Sequence, residues 1–176
     1  MLIKDKEFKD KMIEQVAEEM CLAARTAPKA RGLDLLEIAL IKGETIKKLS
    51  EKMLKIGEKE SNQTFLRDGE NVLKAPVMVL IGTRAQYLGL KYCDFCGFKG
   101  CAEAEKARAV CAYNTGDLGI AVGSAVSVAM DHRVDNRIMY SAGRAALDLE
   151  LLGKGVVVAF GIPLSATGKN PFFDRK

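Results

Sequence analysis

The chain has 176 residues, 48% of them hydrophobic and 28% charged, with 27 Lys and Arg against 23 Asp and Glu for a formal net charge of +4. That composition suffices for a packed core and excludes a disordered chain. The basic residues are spread rather than massed, which excludes a nucleic-acid footprint, and no run approaches the ~20 apolar residues that a membrane helix needs.

In chain order, Phe8, Met12, Ile13, Val16, Ala17, Met20, Cys21 and Ala24 recur with helical period and predict an amphipathic helix that Pro28 and Gly32 terminate. The preceding "MLIKDKEFKDKMIEQ" lacks the apolar core of a secretory signal, so the protein is expected to be cytoplasmic. Residues 33–41, "LDLLEIALI", form a nearly continuous apolar run, the pattern of a strand covered on both faces. A second helix over 44–59 turns Ile46, Leu49, Met53 and Ile56 inward and its lysines outward. "NQT" at Asn62 to Thr64 matches a glycosylation acceptor, without consequence in an unsecreted protein. Pro76 then opens "APVMVLIGT", a second buried strand.

Residues 91–111, "KYCDFCGFKGCAEAEKARAVC", follow directly and carry four cysteines. Beyond them "TGDLGIAVGSAVSVAMDHRV" reads as a helix rich in small residues, capped at its start by Asp117, on which another backbone or a flat ligand packs closely. "GRAALDLELLG" predicts a short helix closed by Gly153, and "GVVVAFGIP" a last buried strand stopped by Pro163. No internal repeat or linker divides the chain, which predicts one domain over 1–176 with the cysteine segment, 91–112, as an insertion.

Five cysteines in a reducing compartment do not make a disulfide framework. Cys21, on the apolar face of the first helix, reads as core. Cys93, Cys96, Cys101 and Cys111 form a C-x2-C-x4-C-x9-C array, the ligand set of one metal centre. Gly97 and Gly100 supply the backbone freedom that lets the sulfurs converge. Zinc sites of four cysteines are usually built from two C-x2-C pairs, whereas three close ligands and a fourth beyond suit an iron-sulfur cluster; the spacing favours iron-sulfur and leaves a structural zinc as the alternative.

"CDFCGFKGCAEA" resembles the C-x2-C-G-x3-C opening of small four-cysteine domains that carry 4Fe-4S clusters in anaerobic corrinoid and electron-transport proteins, although the fourth cysteine follows sooner here. The whole chain, to its ending "GIPLSATGKNPFFDR", resembles an uncharacterised prokaryotic family known only for a ferredoxin domain. The scaffold, through "AARTAPKARGLDLLEIALI", "APVMVLIGTR", "GDLGIAVGSAVSVAM" and "LLGKGVVVAFGIP", resembles the nitroreductase-like flavoproteins. That likeness implies an α+β fold with a mixed sheet flanked by helices, a homodimer, and FMN as a second cofactor. The arginine-rich N-terminal signature that holds the FMN phosphate in that family is absent, so Lys29, Arg31 and Lys169 are the cations the resemblance offers for it.

Two tempting motifs carry no chemistry. "SATGKNP" fails the phosphate-loop pattern, with Asn170 where Ser or Thr is required, and His132, between Asp131 and Asp135, reads as structural. No catalytic residue is assigned. The sequence thus predicts an iron-sulfur protein that transfers electrons to a partner protein or works as an FMN-dependent oxidoreductase. The alternative is a non-enzymatic dimeric module stapled by zinc.

Overall fold

The computed structural model describes residues 1–173. Its centre is strand β2 (Val77–Arg84), in which every residue up to Thr83 is buried. β2 lies between β1 (Leu36–Lys42) and β4 (Val156–Ser165), and the two-residue β3 (Asp135–Asn136) adds to the far side of β4, giving the order β1-β2-β4-β3. Ile81 faces Ile38 on one side and Phe160 on the other.

Because successive side chains of a strand point to opposite faces, β2 feeds two cores. Val77, Val79 and Ile81 join α1 (Lys9–Thr26) and α5 (Ala112–Asp131) through Val16, Met20, Leu118 and Ala125. Met78 and Leu80 join α2 (Glu44–Lys59), α3 (Gln63–Val72) and α6 (Tyr140–Asp148) through Leu49, Met53, Phe65 and Ala142. Among the described residues no helix is long and apolar enough to cross a membrane.

The expected mixed sheet is corrected: every strand pairing among the described residues is antiparallel. The reason lies in α3, which hydrophobic periodicity did not announce. Two helices, α2 and α3, connect β1 to β2 and pack on each other, so the chain is carried down and back and β2 enters from the end at which β1 left. Asn62 starts α3, its Oδ1 accepting from the Thr64 and Phe65 backbone N–H groups. The last strand also differs from expectation, running through Pro163 to Ser165. The ladder beside β3 skips from the Asn136–Leu164 pair to the Met139–Gly161 bridge, and that gap removes the need for a Pro163 N–H.

Beyond β4 the chain is fastened at two points. Asp135 accepts from the Thr167 backbone N–H at 3.0 Å, and Phe172 is fully buried with its carbonyl accepting from Arg137 Nη1 at 2.8 Å. Arg137 also reaches the buried Asp68 carboxylate, which Ser141 and Arg67 complete.

Helix α6 lies so close to β4 that a Cβ on Gly143 would overlap the Ala159 carbonyl. Gly143→Ala is therefore expected to lower unfolding free energy by roughly 1–3 kcal/mol, as other overpacked sites do. Urea denaturation checks this, with the midpoint falling and the slope unchanged.

Candidate metal centre and its adjoining cleft

Residues 85–100, between β2 and α4 (Cys101–Lys106), form no helix or strand. Gly97 and Gly100 both take positive φ, 81° and 80°, where a side chain would be strained. The Gly97 N–H donates to the Asp94 carbonyl and the Gly100 N–H to Asp94 Oδ1, so the loop folds around Asp94. Cys93 and Cys96 stand in this loop, Cys101 is the first residue of α4, and Cys111 is the residue that caps α5. Cys111 is buried and the other three are half-buried.

Tyr87 organises the segment. Its hydroxyl donates toward the Ala104 carbonyl at 3.1 Å and the Ala109 carbonyl at 2.8 Å, tying the loop to α4 and to the link before α5. Desolvation there, then the Glu105 carboxylate and the thiols of Cys111, Cys96 and Cys101, hold the phenol above its ordinary pKa. Three of the four expected ligands therefore lie within electrostatic reach of one hydroxyl. Among the described residues no three Cys, His, Asp or Glu side chains converge into a ready-made metal site. The donor set nonetheless fits a thiolate-bound centre. Two of its cysteines stand in irregular backbone and two at helix starts, so drawing the sulfurs together unwinds no helix interior.

The first turns of α5 carry the supports. Asn114 is 1% exposed, and its Oδ1 accepts the Gln86 backbone N–H at 3.0 Å; its Nδ2 has no partner among the described residues. Asp117 does not cap α5, as the sequence had suggested, because the helix begins at Ala112. Its two carboxylate oxygens accept the Ala30 N–H at 3.1 and 3.0 Å and pin the loop after α1. Within that loop Arg31 takes a φ of 55°, and its Nη1 donates to the Leu88 carbonyl at 2.6 Å, which joins the loop to the cysteine segment.

Between loop and segment opens a cleft of about 430 Å³. Pro28, Lys29 and Ala30 form one wall, Phe95 another, and Tyr113, Gly116 and Ile120 of α5 the floor. Phe95, the neighbour of Cys96, stacks on Tyr113 with ring centroids 5.9 Å apart and planes 19° from parallel. The aromatic pair thus belongs both to the cysteine segment and to the cleft. A volume of this size with mostly apolar walls suits a planar aromatic ligand.

The cations expected at a flavin phosphate fall into two places. Lys29 borders the cleft, but its Nζ donates to the Arg25 and Ala27 carbonyls at 2.6 and 2.7 Å, closing the C-terminal end of α1. Arg31 stands beside it. Lys169 is exposed in the turn after β4, near Asp135, where α5 has ended. From Asp117 to Asp131 the helix rises about 20 Å, so one chain does not bring Lys169 to Lys29 and Arg31. His132 follows α5, with Nε2 at 3.1 Å from Glu19 Oε2 on α1, away from the cleft. Cys21 packs against the sheet-side core, and burial pushes its thiol up to about 11, as its reading as core implies.

Sequence reasoning missed Tyr87 and Asn114. Neither belongs to a motif, and the only signals were an aromatic shortly before the first cysteine and an amide in the first turn of a helix.

A family model described as uncharacterised proteins containing a ferredoxin domain (DUF2148) matches residues 107–175, a stretch that includes Cys111 and Asn114. An uncharacterised protein of Archaeoglobus fulgidus is 40% identical over 99% of this chain and 98% of its own. Among solved structures the chain is similar to a nitroreductase with bound FMN from Desulfitobacterium hafniense (TM-score 0.61, 13% identity, 89% of this chain and 79% of that one). It is also similar to a BluB-like flavoprotein from Clostridium difficile (TM-score 0.56, 18% identity, 96% and 86%). Similarity at this level establishes the nitroreductase-like α+β fold.

Removing the hydroxyl that ties the segment together takes the Tyr87 donor from the Ala109 carbonyl and leaves the Ala104 carbonyl with the Ala109 N–H alone. In Tyr87→Phe, amide hydrogen exchange over residues 101–111 is expected to speed up by about tenfold while the β2 amides stay protected. Equal rates in the two proteins would show that the hydroxyl does not hold the segment.

Proposed function

Because the chain belongs to the family of uncharacterised proteins containing a ferredoxin domain, we propose that it is an iron-sulfur redox protein whose Cys93, Cys96, Cys101 and Cys111 hold a 4Fe-4S cluster beside an FMN-binding cleft. The observation that carries this reading is the position of Phe95. It adjoins Cys96 in sequence, walls the cleft and stacks on Tyr113, two residues after Cys111.

When bound, a thiolate-held cluster supplies one-electron oxidation and reduction, and a flavin beside it accepts electrons singly or in pairs. The chain's own residues provide the surroundings. Burial of Cys111 would keep water from one of the sulfurs, and the stacked Phe95–Tyr113 pair stands at the exposed edge between the segment and the cleft. Pro28, Ala30 and Ile120 give the cleft apolar walls that a flavin ring would cover. A flavin or a partner redox protein would be the electron acceptor.

The cleft is completed by a second copy in this reading. Gly116, Gly119, Gly123 and Ser127 form an exposed stripe along α5, and a Cβ added to any of its glycines meets nothing within 4 Å. Two such helices packed antiparallel about a two-fold axis place the Lys169 end of one copy beside the Lys29 and Arg31 end of the other. Lys29 and Arg31, which donate to the Arg25, Ala27 and Leu88 carbonyls within the chain, would have to exchange those acceptors to join Lys169 at one phosphate.

Protein purified without oxygen is expected to be brown and to contain about four irons and four sulfides per chain. Cys96→Ser and Cys111→Ser should each lose most of that iron, and denaturation of the wild-type protein should release FMN. A colourless protein with one zinc per chain would overturn the redox reading and leave the four cysteines as a structural staple. For the dimer, Gly123→Lys adds a side chain where the single chain has open space, so it is expected to fold and to sediment as a monomer. Sedimentation velocity of both proteins decides, and an unchanged dimer would place the interface elsewhere.

A further inference from the structure

The Asn114 amide is an unusual feature of the core. Its orientation follows from its partner, since the Gln86 backbone N–H can only donate, so the atom facing it at 3.0 Å is Oδ1 and the other is the –NH2. Nδ2 therefore carries N–H groups that are buried and lack an acceptor among the described residues, and a buried donor normally has one. Asn114 lies one helical turn after Cys111, whose carbonyl accepts the Asn114 backbone N–H at 3.0 Å. Gln86, which holds its oxygen, adjoins Tyr87, whose hydroxyl lies 3.1 and 2.8 Å from the Ala104 and Ala109 carbonyls, between Cys101 and Cys111 in the chain. The other buried amide without a partner, Asn71 Nδ2, is in α3 on the opposite side of the sheet, and nothing comparable surrounds it.

We propose that Asn114 is a positioning residue whose Nδ2–H donates to a sulfur of the cysteine-held cluster, that of Cys111 first, and thereby raises the cluster's reduction potential. The inference rests on the iron-sulfur reading given above. An N–H donor stabilises the sulfur more when the cluster carries the extra electron, so the reduced form gains more from the bond than the oxidised form. A cluster held in part by Cys111 supplies a negatively charged acceptor one helical turn from a buried donor that has none among the described residues.

The test is a redox titration of anaerobically purified protein, followed by visible absorption, for wild type, Asn114→Leu, Asn114→Met and Asn71→Leu, with iron content measured on each. Leucine approximates the shape of asparagine without its donor, and methionine adapts to an irregular space; both also release the Gln86 N–H, so Asn114→Asp, which keeps an acceptor for it and lacks the donor, is titrated beside them. Asn114→Asp is expected to keep its iron, and every iron-replete Asn114 variant to bind the electron about tenfold less tightly, a fall of about 59 mV for a one-electron couple. Asn71→Leu is expected to titrate as wild type. Unchanged potentials in iron-replete Asn114 variants would overturn the proposal while leaving the iron-sulfur reading intact, as would an equal fall in Asn71→Leu. If leucine and methionine prevent iron uptake the aspartate variant decides, and loss of iron from all three also overturns it, because a tuning donor is dispensable for assembly. Wild-type protein without iron overturns both readings together.

Discussion

Every part of the candidate site depends on two side-chain acceptors in the first turns of α5. Asp117 receives the Ala30 N–H and Asn114 receives the Gln86 N–H, so one helix holds two loops that are remote in sequence. The helix can serve as this fixed point because Leu118, Ala121, Val122 and Ala125 are buried against α1 and the sheet. Arg31 then closes the triangle by donating to Leu88 across 57 residues of chain. The cleft is the space left between three segments, each tied to the other two, and its walls are positioned by hydrogen bonds rather than by strands. A loop held at both ends in this way provides a preformed pocket without regular secondary structure of its own.

The same economy runs through the scaffold. A strand buried on both faces is ordinarily found in parallel sheets, yet β2 is antiparallel to both neighbours. Helices cover it on both sides because the β1–β2 connection contributes a helical pair to one face while α1 and α5 cover the other. Close approach is obtained with small residues. Ala142, Ala145 and Ala146 are fully buried where α6 meets β4, and Gly161 on the strand would meet Ala142 if it carried a Cβ. Burial of alanine contributes little area per residue, so the stability of this contact comes from close backbone packing rather than from large side chains.

Much of this was legible in sequence. The bounds of α2 follow from its lysine-backed apolar period, and the apolar runs mark β2 and β4 because a covered strand has no polar face to interrupt it; β1 carries such a run too, but at the sheet edge with only Leu36 and Ile41 buried it is not the doubly covered strand its pattern predicts. α3 was hidden because its buried positions include Asp68, Gly69 and Asn71, polar or minimal residues that break an apolar period, the first two while satisfying tertiary partners. β3 is two residues long and has no pattern to display. At the site, the cysteine spacing announced a metal centre, since ligand chemistry is written in residue type. The supports were not announced. Asn114 and Tyr87 matter through partners 28 and 17 or more residues away, and a single hydrogen bond at that range leaves no periodic trace. Lys29 shows the converse: a cation in a loop suggests an anion, but its ammonium already lies against the last carbonyls of α1, which attract it equally well.

The placement of Cys111 shows why the segment ends where it does. As the residue that caps a helix of 20 residues, it stands at the positive end of the macrodipole, where the first N–H groups have no intrahelical acceptor. The Cys111 side chain accepts from none of them. No carboxylate occupies the first turn of α5. The nearest acidic residue of that helix, Asp117, is turned to the Ala30 N–H. Cys101 opens α4 in the same manner but in a helix of only six residues, too short to build much dipole. Of the four cysteines, Cys111 is thus the buried one, fixed at the start of a long packed helix, and its carbonyl accepts the Asn114 backbone N–H.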